Sequence, residues 1–398
     1  MEESFKSPAA QRRERGRQLR EAAKGSLDWT FLSILLLLLC IGLLMVLSAS
    51  FPSAYAEGNS PFYYFKRQIL FSIMGCAVML WMSTWVYQHL KLFSKPFLLL
   101  AFVLLVLVLI PGVGITRNNA TRWLGVGDAL TFQPSEVAKM AVILYFADRL
   151  SKQKGRMERF WRDIVYPYGI LLIAMSALLL KEPHLSGTVL ILSIGAVLLI
   201  VGGLPRKLVF GGLAGGILAV VGYVKAVSAG WIHYGASRIA TWHDPFYEEW
   251  FRDEGWQLGQ SQLAIGSGGL LGVGLGKSRQ KFLYLPEEHN DFIFAVICEE
   301  LGYVGAALII LLFMALILRG YWIALHAPDR FGSLLVVGVM THIALQTFLN
   351  IAVVTGLVPT TGISLPFFSY GGTALMMQLV EMGVVLSVSR QMVATKEG

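Results

Sequence analysis

The densest concentration of reactive side chains is Leu285-Pro286-Glu287-Glu288-His289-Asn290-Asp291, which runs without a break into the apolar Phe292-Ile293-Phe294-Ala295. Two roles fit Asp291 at the head of that apolar stretch. As a helix N-cap it would accept backbone N–H bonds and favour the positive end of the helix dipole. As a general base it would have a pKa lowered by the same dipole and raised by Glu287, Glu288 and burial. The pattern of residues does not separate the two.

A second constellation is Pro134-Ser135-Glu136-Val137-Ala138-Lys139, which sets a carboxylate and an ammonium on one helix face. Charges inside an apolar span face a partner or a polar cavity, so an internal ion pair and a substrate-facing pair both fit. Just upstream, Arg122-Trp123 places a guanidinium beside an indole. Such a pair suits diphosphate or carboxylate recognition, and equally an anchor at a membrane interface.

Other signals carry less. Gly274-Leu275-Gly276-Lys277-Ser278 resembles the end of a nucleotide-binding loop, but Leu271 stands where its first glycine is required. Asn119-Ala120-Thr121 fits a glycosylation sequon by chance composition. The 7 histidines, at 89, 184, 233, 243, 289, 326 and 342, form no i, i+4 pair and no zinc pattern. A hard divalent cation held by carboxylates and substrate phosphates stays compatible with the sequence. Gly211/Gly215 and Gly212/Gly216 predict close helix approach.

The elements that must position these residues are set by composition. With 55% hydrophobic residues, 15% charged residues and a mean hydropathy of +0.62, the chain is not a soluble one. Runs such as Trp29 to Leu47 carry no charge over a length that spans a ~30 Å hydrocarbon core. Cys40, Cys76 and Cys298 lie in or beside apolar blocks, so no extracellular disulfide framework is expected. The net charge of +8 resides in short loops, which argues for membrane orientation and against nucleic acid. The basic run from Arg12 to Lys24 and Ala54-Tyr55-Ala56 bracket an apolar stretch too long for a signal peptide, so an uncleaved first helix is expected.

An all-α polytopic membrane protein of about 10 transmembrane helices follows. The apolar blocks are Leu27 to Ser50, Ile69 to Tyr87, Pro96 to Pro111, Ser135 to Leu150 and Ile164 to Leu180. Gly187 to Gly203, Lys207 to Val227, Asp291 to Leu318, Phe331 to Val354 and Gly371 to Ser389 complete them. With both termini cytoplasmic, the inner segments hold 21 Lys and Arg against 10 in the outer ones. The organisation is then a basic N-terminal segment 1–26, helices 1–7 over 27–227, a large outer loop 228–290, helices 8–10 over 291–389 and a tail 390–398. Loops as long as 112–134 and 228–290 are usually functional or locally folded.

At these residues the chain resembles the SEDS family (shape, elongation, division and sporulation), over roughly residues 25 to 392. The resemblance rests on Gly276-Lys277-Ser278-Arg279-Gln280-Lys281-Phe282, Tyr284-Leu285-Pro286-Glu287, Asp291-Phe292-Ile293-Phe294-Ala295 with Glu299-Glu300-Leu301-Gly302, and Pro366-Phe367-Phe368-Ser369-Tyr370-Gly371-Gly372. The approach to Leu285-Pro286-Glu287 is nearer the FtsW and SpoVE branch than RodA. Three departures stand out: Asn290 where Thr is common, Lys277 where Asn is common, and Glu182-Pro183-His184-Leu185-Ser186-Gly187 where Gln-Pro-Asp-Leu-Gly is frequent.

The resemblance implies a peptidoglycan glycosyltransferase that polymerises lipid II at the outer face of the bacterial cytoplasmic membrane, in division or sporulation. It implies a class B penicillin-binding protein as partner, with other division or sporulation proteins. Asp291 maps onto the family's catalytic aspartate. Arg122, Glu136, Lys139, Lys277, Arg279, Glu287, His289, Ser369 and Gly371 become expected substrate contacts, with Mg²⁺ or Mn²⁺ as an expected helper. A lipid II flippase and a non-catalytic scaffold are the competing readings.

Overall fold

The computed structural model describes residues 25–117, 120–126, 130–153, 157, 159–231, 236–247 and 255–394. The basic run up to Lys24, Asn119, His233 and residues 395–398 lie outside the described residues.

Among the described residues, helices fall on each of the apolar blocks. They are α1 Trp29–Ala56, α2 Tyr63–Ser83, α3 Leu90–Val108, α4 Pro134–Lys152, α5 Ile170–Lys181, α6 Leu185–Val201 and α7 Arg206–Ser228. Two helices in the segment before α10 follow, α8 Ala236–His243 and α9 Trp256–Ser267. The last three are α10 Ile293–Leu325, α11 Arg330–Val354 and α12 Gly372–Ala394. Among the described residues, 8 stretches are long and apolar enough to cross a membrane, that of α5 beginning at Phe160. The exceptions are α6, which is shorter, and α4, which carries Glu136, Lys139, Asp148, Arg149 and Lys152. The charges of α4 are tolerated because protein surrounds it: nearly every residue from Pro134 to Leu150 is buried, against α3, α6 and α11.

Two helix N-termini are fixed by carboxylate caps. Asp28 accepts the Phe31 N–H at 2.9 Å and pairs with Arg319 at 2.8 Å, tying α1 to α10. Asp329 accepts the Gly332 N–H at 2.7 Å and pairs with Lys91 at 3.3 Å. Ahead of α5, Phe160–Gly169 is wound as a π-helix containing Pro167, whose missing N–H breaks the regular α ladder. Ala54-Tyr55-Ala56 is the last turn of α1, with Ala54 buried. In α7 the expected close approach of Gly211, Gly212, Gly215 and Gly216 is not made: a Cβ at any of them meets no atom within 4 Å.

The segment between α3 and α4 folds into a small antiparallel sheet in the order β1-β2-β3, formed by Ile115–Arg117, Ala120–Val126 and Leu130–Phe132. Thr121 pairs with Thr116, and Leu124 with Phe132. Apolar-block reading passes over such strands, since two of them have only 3 residues.

The loop that precedes α10 is docked into a break in that helix. Gly302 has φ 68° and ψ −172°, so α10 is interrupted there. The freed backbone groups pair with the loop: Val273 N–H donates to Glu299 O at 3.0 Å and Gly274 N–H to Glu300 O at 3.1 Å. In return, Tyr303 N–H donates to Gly269 O at 2.9 Å and Val304 N–H to Leu270 O at 3.1 Å. Below this exchange Glu299 accepts the Arg279 N–H at 2.9 Å, and Glu300 pairs with Lys281 at 2.7 Å and with Ser48 Oγ. The carboxylates thus pin the chain that leads to Asp291. A Cβ on Gly302 would lie 2.2 Å from Gly272 N. Gly302→Ala is therefore expected to cost about 3 kcal/mol or more, from the left-handed backbone and the forced separation of loop and helix. Thermal unfolding in detergent, with loop proteolysis as second readout, measures it.

Candidate active site

The segment 287–291 is held through three successive carbonyls. Tyr370 N–H donates to His289 O at 2.8 Å, Ser369 Oγ to Asn290 O at 2.7 Å, and Asn350 Nδ2 to Asp291 O at 2.7 Å. Asn350 also donates to Ile363 O at 2.6 Å, so one carboxamide on α11 joins both chains that flank Asp291. This presets the carboxylate before any ligand arrives.

The geometry bears on the cap role of Asp291. The N-cap position of α10 is Phe292, with no side-chain cap bond. The Asp291 carboxylate instead lines a cavity of about 820 Å³, with Gly362 packed over it: a Cβ there would sit 3.2 Å from Asp291 Oδ2. Burial and the neighbouring Glu287 carboxylate push the Asp291 pKa up to about 7, against the opposing pull of Arg122 and His289. A carboxylate so placed is a stronger base than a solvated aspartate.

Across the cavity stand the expected cations. Lys139 Nζ and Glu136 Oε1 are 2.8 Å apart with side-chain exposures of 3% and 9%, so the pair is formed and buried. Among the described residues the second Glu136 oxygen has no hydrogen-bond partner. Arg122, on β2, donates from Nε to Glu182 O at 3.3 Å and from Nη2 to Pro183 O, so the sheet presents it to the turn between α5 and α6. In that turn burial raises Glu182 to about 8, opposed by Arg122. Burial lowers His184 to about 3, with Arg122 and Lys139 adding repulsion, so its imidazole is neutral. Its Nδ1 is buried and, among the described residues, without a hydrogen-bond partner, and Gly187 makes room for the ring, a Cβ there falling 2.8 Å away. His184 is therefore a hydrogen-bonding wall of the cavity rather than a third cation.

Of the expected contacts, Arg122, Glu136, Lys139, Glu287, His289 and Gly371 line this cavity with Asp291. Glu287 accepts from Asn290 Nδ2 at 2.5 Å, and Glu288 accepts from Ser53 Oγ and lies 3.4 Å from His289 Nδ1. Ser369 stands behind the cavity, its Oγ spent on Asn290 O and on the Leu365 N–H at 2.7 Å each. Lys277 and Arg279 are not brought to it. Both are exposed on the loop, where the backbone of Arg279 is bound by Glu299. The buried cation of that motif is Lys281.

Several lining residues escaped the sequence reading: Tyr63, Tyr64 and Arg67 on α2, Gln346 on α11, and Tyr370. One signal existed: His342, Gln346 and Asn350 recur every four residues, a polar stripe down one face of an apolar helix. Among the described residues no three His, Cys, Asp or Glu side chains converge as a metal seat.

The fold agrees with the comparisons. A family model described as "cell cycle protein", for FtsW, RodA and SpoVE, matches residues 28–394. The chain is 44% identical to stage V sporulation protein E of Bacillus subtilis over 371 residues, 92% of this chain and 98% of that one. It is 37% identical to the probable peptidoglycan glycosyltransferase FtsW of Geobacter metallireducens, over 92% of this chain and 96% of the relative. Among solved structures it resembles a chain of a peptidoglycan synthase complex with a TM-score of 0.75 and 27% identity, covering 92% and 98%. It also resembles the rod shape determining protein RodA of Thermus thermophilus, with a TM-score of 0.67 and 27% identity over 92% and 97%. The chain belongs to the FtsW/RodA/SpoVE family of multi-pass membrane proteins.

Proposed function

We propose that this chain polymerises lipid II into glycan strands at the outer face of the bacterial cytoplasmic membrane, with Asp291 as general base. The observation that carries the proposal is the setting of Asp291: a carboxylate with a pKa near 7, fixed by three backbone carbonyl contacts and facing buried Lys139 and Arg122 across one cavity. The outer location is supported by the excess of Lys and Arg in the opposite loops.

Lipid II carries its disaccharide on an α-linked diphosphate, and the polymer linkage is β, so one inverting displacement suffices. Asp291 removes the proton from the 4-hydroxyl of the acceptor GlcNAc. That oxygen bonds to the anomeric carbon of the donor MurNAc as the bond from this carbon to the lipid diphosphate breaks. The negative charge grows on the leaving diphosphate, where Arg122 and Lys139 stabilise it. Neutral His184 donates a ring N–H to a phosphate oxygen of the substrate there. A Mg²⁺ or Mn²⁺ ion held by substrate phosphates would add to that stabilisation; the steps above need only the side chains named.

A class B penicillin-binding protein is the proposed partner, cross-linking the strands, with division or sporulation proteins recruiting the pair. The exposed outer loop, including Lys277 and Arg279, is available to such proteins. One observation favours transport as a second reading: His342 and Glu381 form a buried 2.9 Å pair one turn below the cavity-lining Gln346.

The base assignment predicts a pH profile. Asp291 acts when deprotonated, so kcat/KM for lipid II should fall about ten-fold per pH unit below the pKa near 7 and level off above it. Strand length and rate from labelled lipid II between pH 5 and 9, with the partner present, measure it. A profile flat down to pH 5 would contradict the assignment.

A further inference from the structure

The cavity contains a second cationic wall that the step above does not use. Arg67 lines it from α2, with Nη1 2.8 Å from Tyr63 Oη and the guanidinium 5.4 Å from the Tyr63 ring centre. The neighbouring Lys66 is exposed, as an interface anchor is, whereas Arg67 turns inward. Around Arg67 the wall is aromatic: the Tyr64 ring lies 4.6 Å from His289 and 4.9 Å from Tyr370. Phe71, one turn deeper on α2, continues the same wall into the apolar zone.

Each cation also stands near the start of its own helix. Arg67 is one turn below the outer end of α2 at Tyr63, and Lys139 just over one turn below that of α4 at Pro134. At 1.5 Å per residue both lie about 6 to 8 Å inside their helix ends. The helices are distinct walls, α2 packing on α1 and α12, and α4 on α3, α6 and α11. Two cations on separate helices, lining one cavity with Asp291, match a reaction in which two lipid-anchored diphosphates meet.

Resting on the glycosyltransferase reading, we propose that Arg67 holds the diphosphate of the acceptor lipid, while the Tyr64, His289 and Tyr370 rings seat its sugar beside Asp291. Arg122 and Lys139 then serve the donor alone. The two poles differ in kinetic signature. Charge on the donor diphosphate grows during the reaction, so its pole contributes to kcat. Charge on the acceptor diphosphate does not change, so Arg67 contributes equally to ground and transition states and governs KM. Arg suits this role because its fork binds phosphate oxygens in pairs.

The test separates the substrates chemically. A lipid II whose GlcNAc 4-hydroxyl is methylated can act only as donor; one whose anomeric oxygen is replaced by methylene can act only as acceptor. The full-length chain with its transpeptidase is assayed for the single coupling product in nanodiscs of phosphatidylcholine, with and without phosphatidylglycerol. Arg67→Gln is expected to raise the acceptor KM about 10- to 100-fold, with kcat and the donor KM within about two-fold. Arg67→Lys, which keeps the charge and covers the case in which Gln fails to fold, should raise it less. The penalty should vanish with an acceptor disaccharide lacking the diphosphate. An unchanged acceptor KM, a loss confined to kcat, or an effect that tracks phosphatidylglycerol would overturn the proposal, the last assigning Arg67 to a phospholipid headgroup. No coupling by the unmodified protein would instead overturn the glycosyltransferase reading on which it rests.

Discussion

Asp291→Ala and Asp291→Asn are expected to lower lipid II polymerisation by about 10²- to 10⁴-fold, the usual contribution of a positioned general base. The fold should survive. Asp291 does not cap α10, and its carboxylate faces a cavity rather than a packed core. What holds the segment is the backbone: His289, Asn290 and Asp291 each give a carbonyl to α11 or the 369–370 turn, and neither substitution touches those bonds. Removing a carboxylate that Glu287 repels should even stabilise the protein slightly. Thermal unfolding and co-purification with the transpeptidase check the fold, and gel analysis of glycan strands checks the rate. Loss of activity accompanied by unfolding would point back to a structural role.

The second large effect concerns Lys139. Lys139→Met leaves Glu136 buried against α3, α6 and α11 without its partner, a loss of about 3–5 kcal/mol for a broken buried pair. Adding Glu136→Gln removes the stranded charge, and the double variant should regain most of that stability, since a buried pair is worth little over neutral packing of similar volume. Activity should not return. A donor aimed at the leaving diphosphate typically contributes about 10²- to 10³-fold to kcat, and the double variant lacks it. Stability and activity therefore separate a substrate-facing lysine from an internal tie. Recovery of both would show the pair to be structural.

The helices were legible because hydrocarbon thickness fixes their length and composition fixes their place. Even the exception is informative: α4 reads as the most polar block, and the structure buries it at the centre, where protein groups replace lipid. The small sheet was not legible, since strands of 3 residues cannot display an alternating pattern. Site residues followed a similar division. Asp291, Arg122, Glu136 and Lys139 were recognisable because each is a charge at the rim of an apolar span, a placement that needs a reason.

Lys277 and Arg279 were expected with them because they sit in a familiar motif, yet a motif does not say which of its side chains turns inward. That is decided by Glu299 and Glu300, which bind the Arg279 backbone and the Lys281 ammonium and leave the other two cations outside. Arg67 was missed for the opposite reason, since a basic residue near a helix end ordinarily reads as an anchor. Its inward turn with Tyr63 becomes visible only once α2 is packed.

The central claim, that the cavity around Asp291 joins sugars rather than passing lipids across the bilayer, is tested most directly in proteoliposomes. The purified chain and its transpeptidase would be reconstituted with fluorescent lipid II, following glycan length and lipid translocation in the same sample, with Asp291→Asn beside the unmodified protein. The prediction is polymer from the unmodified chain, none from the variant, and the same translocation in both as in protein-free liposomes. Translocation without polymer, lost on substitution at His342 or Glu381 and unaffected at Asp291, would contradict it.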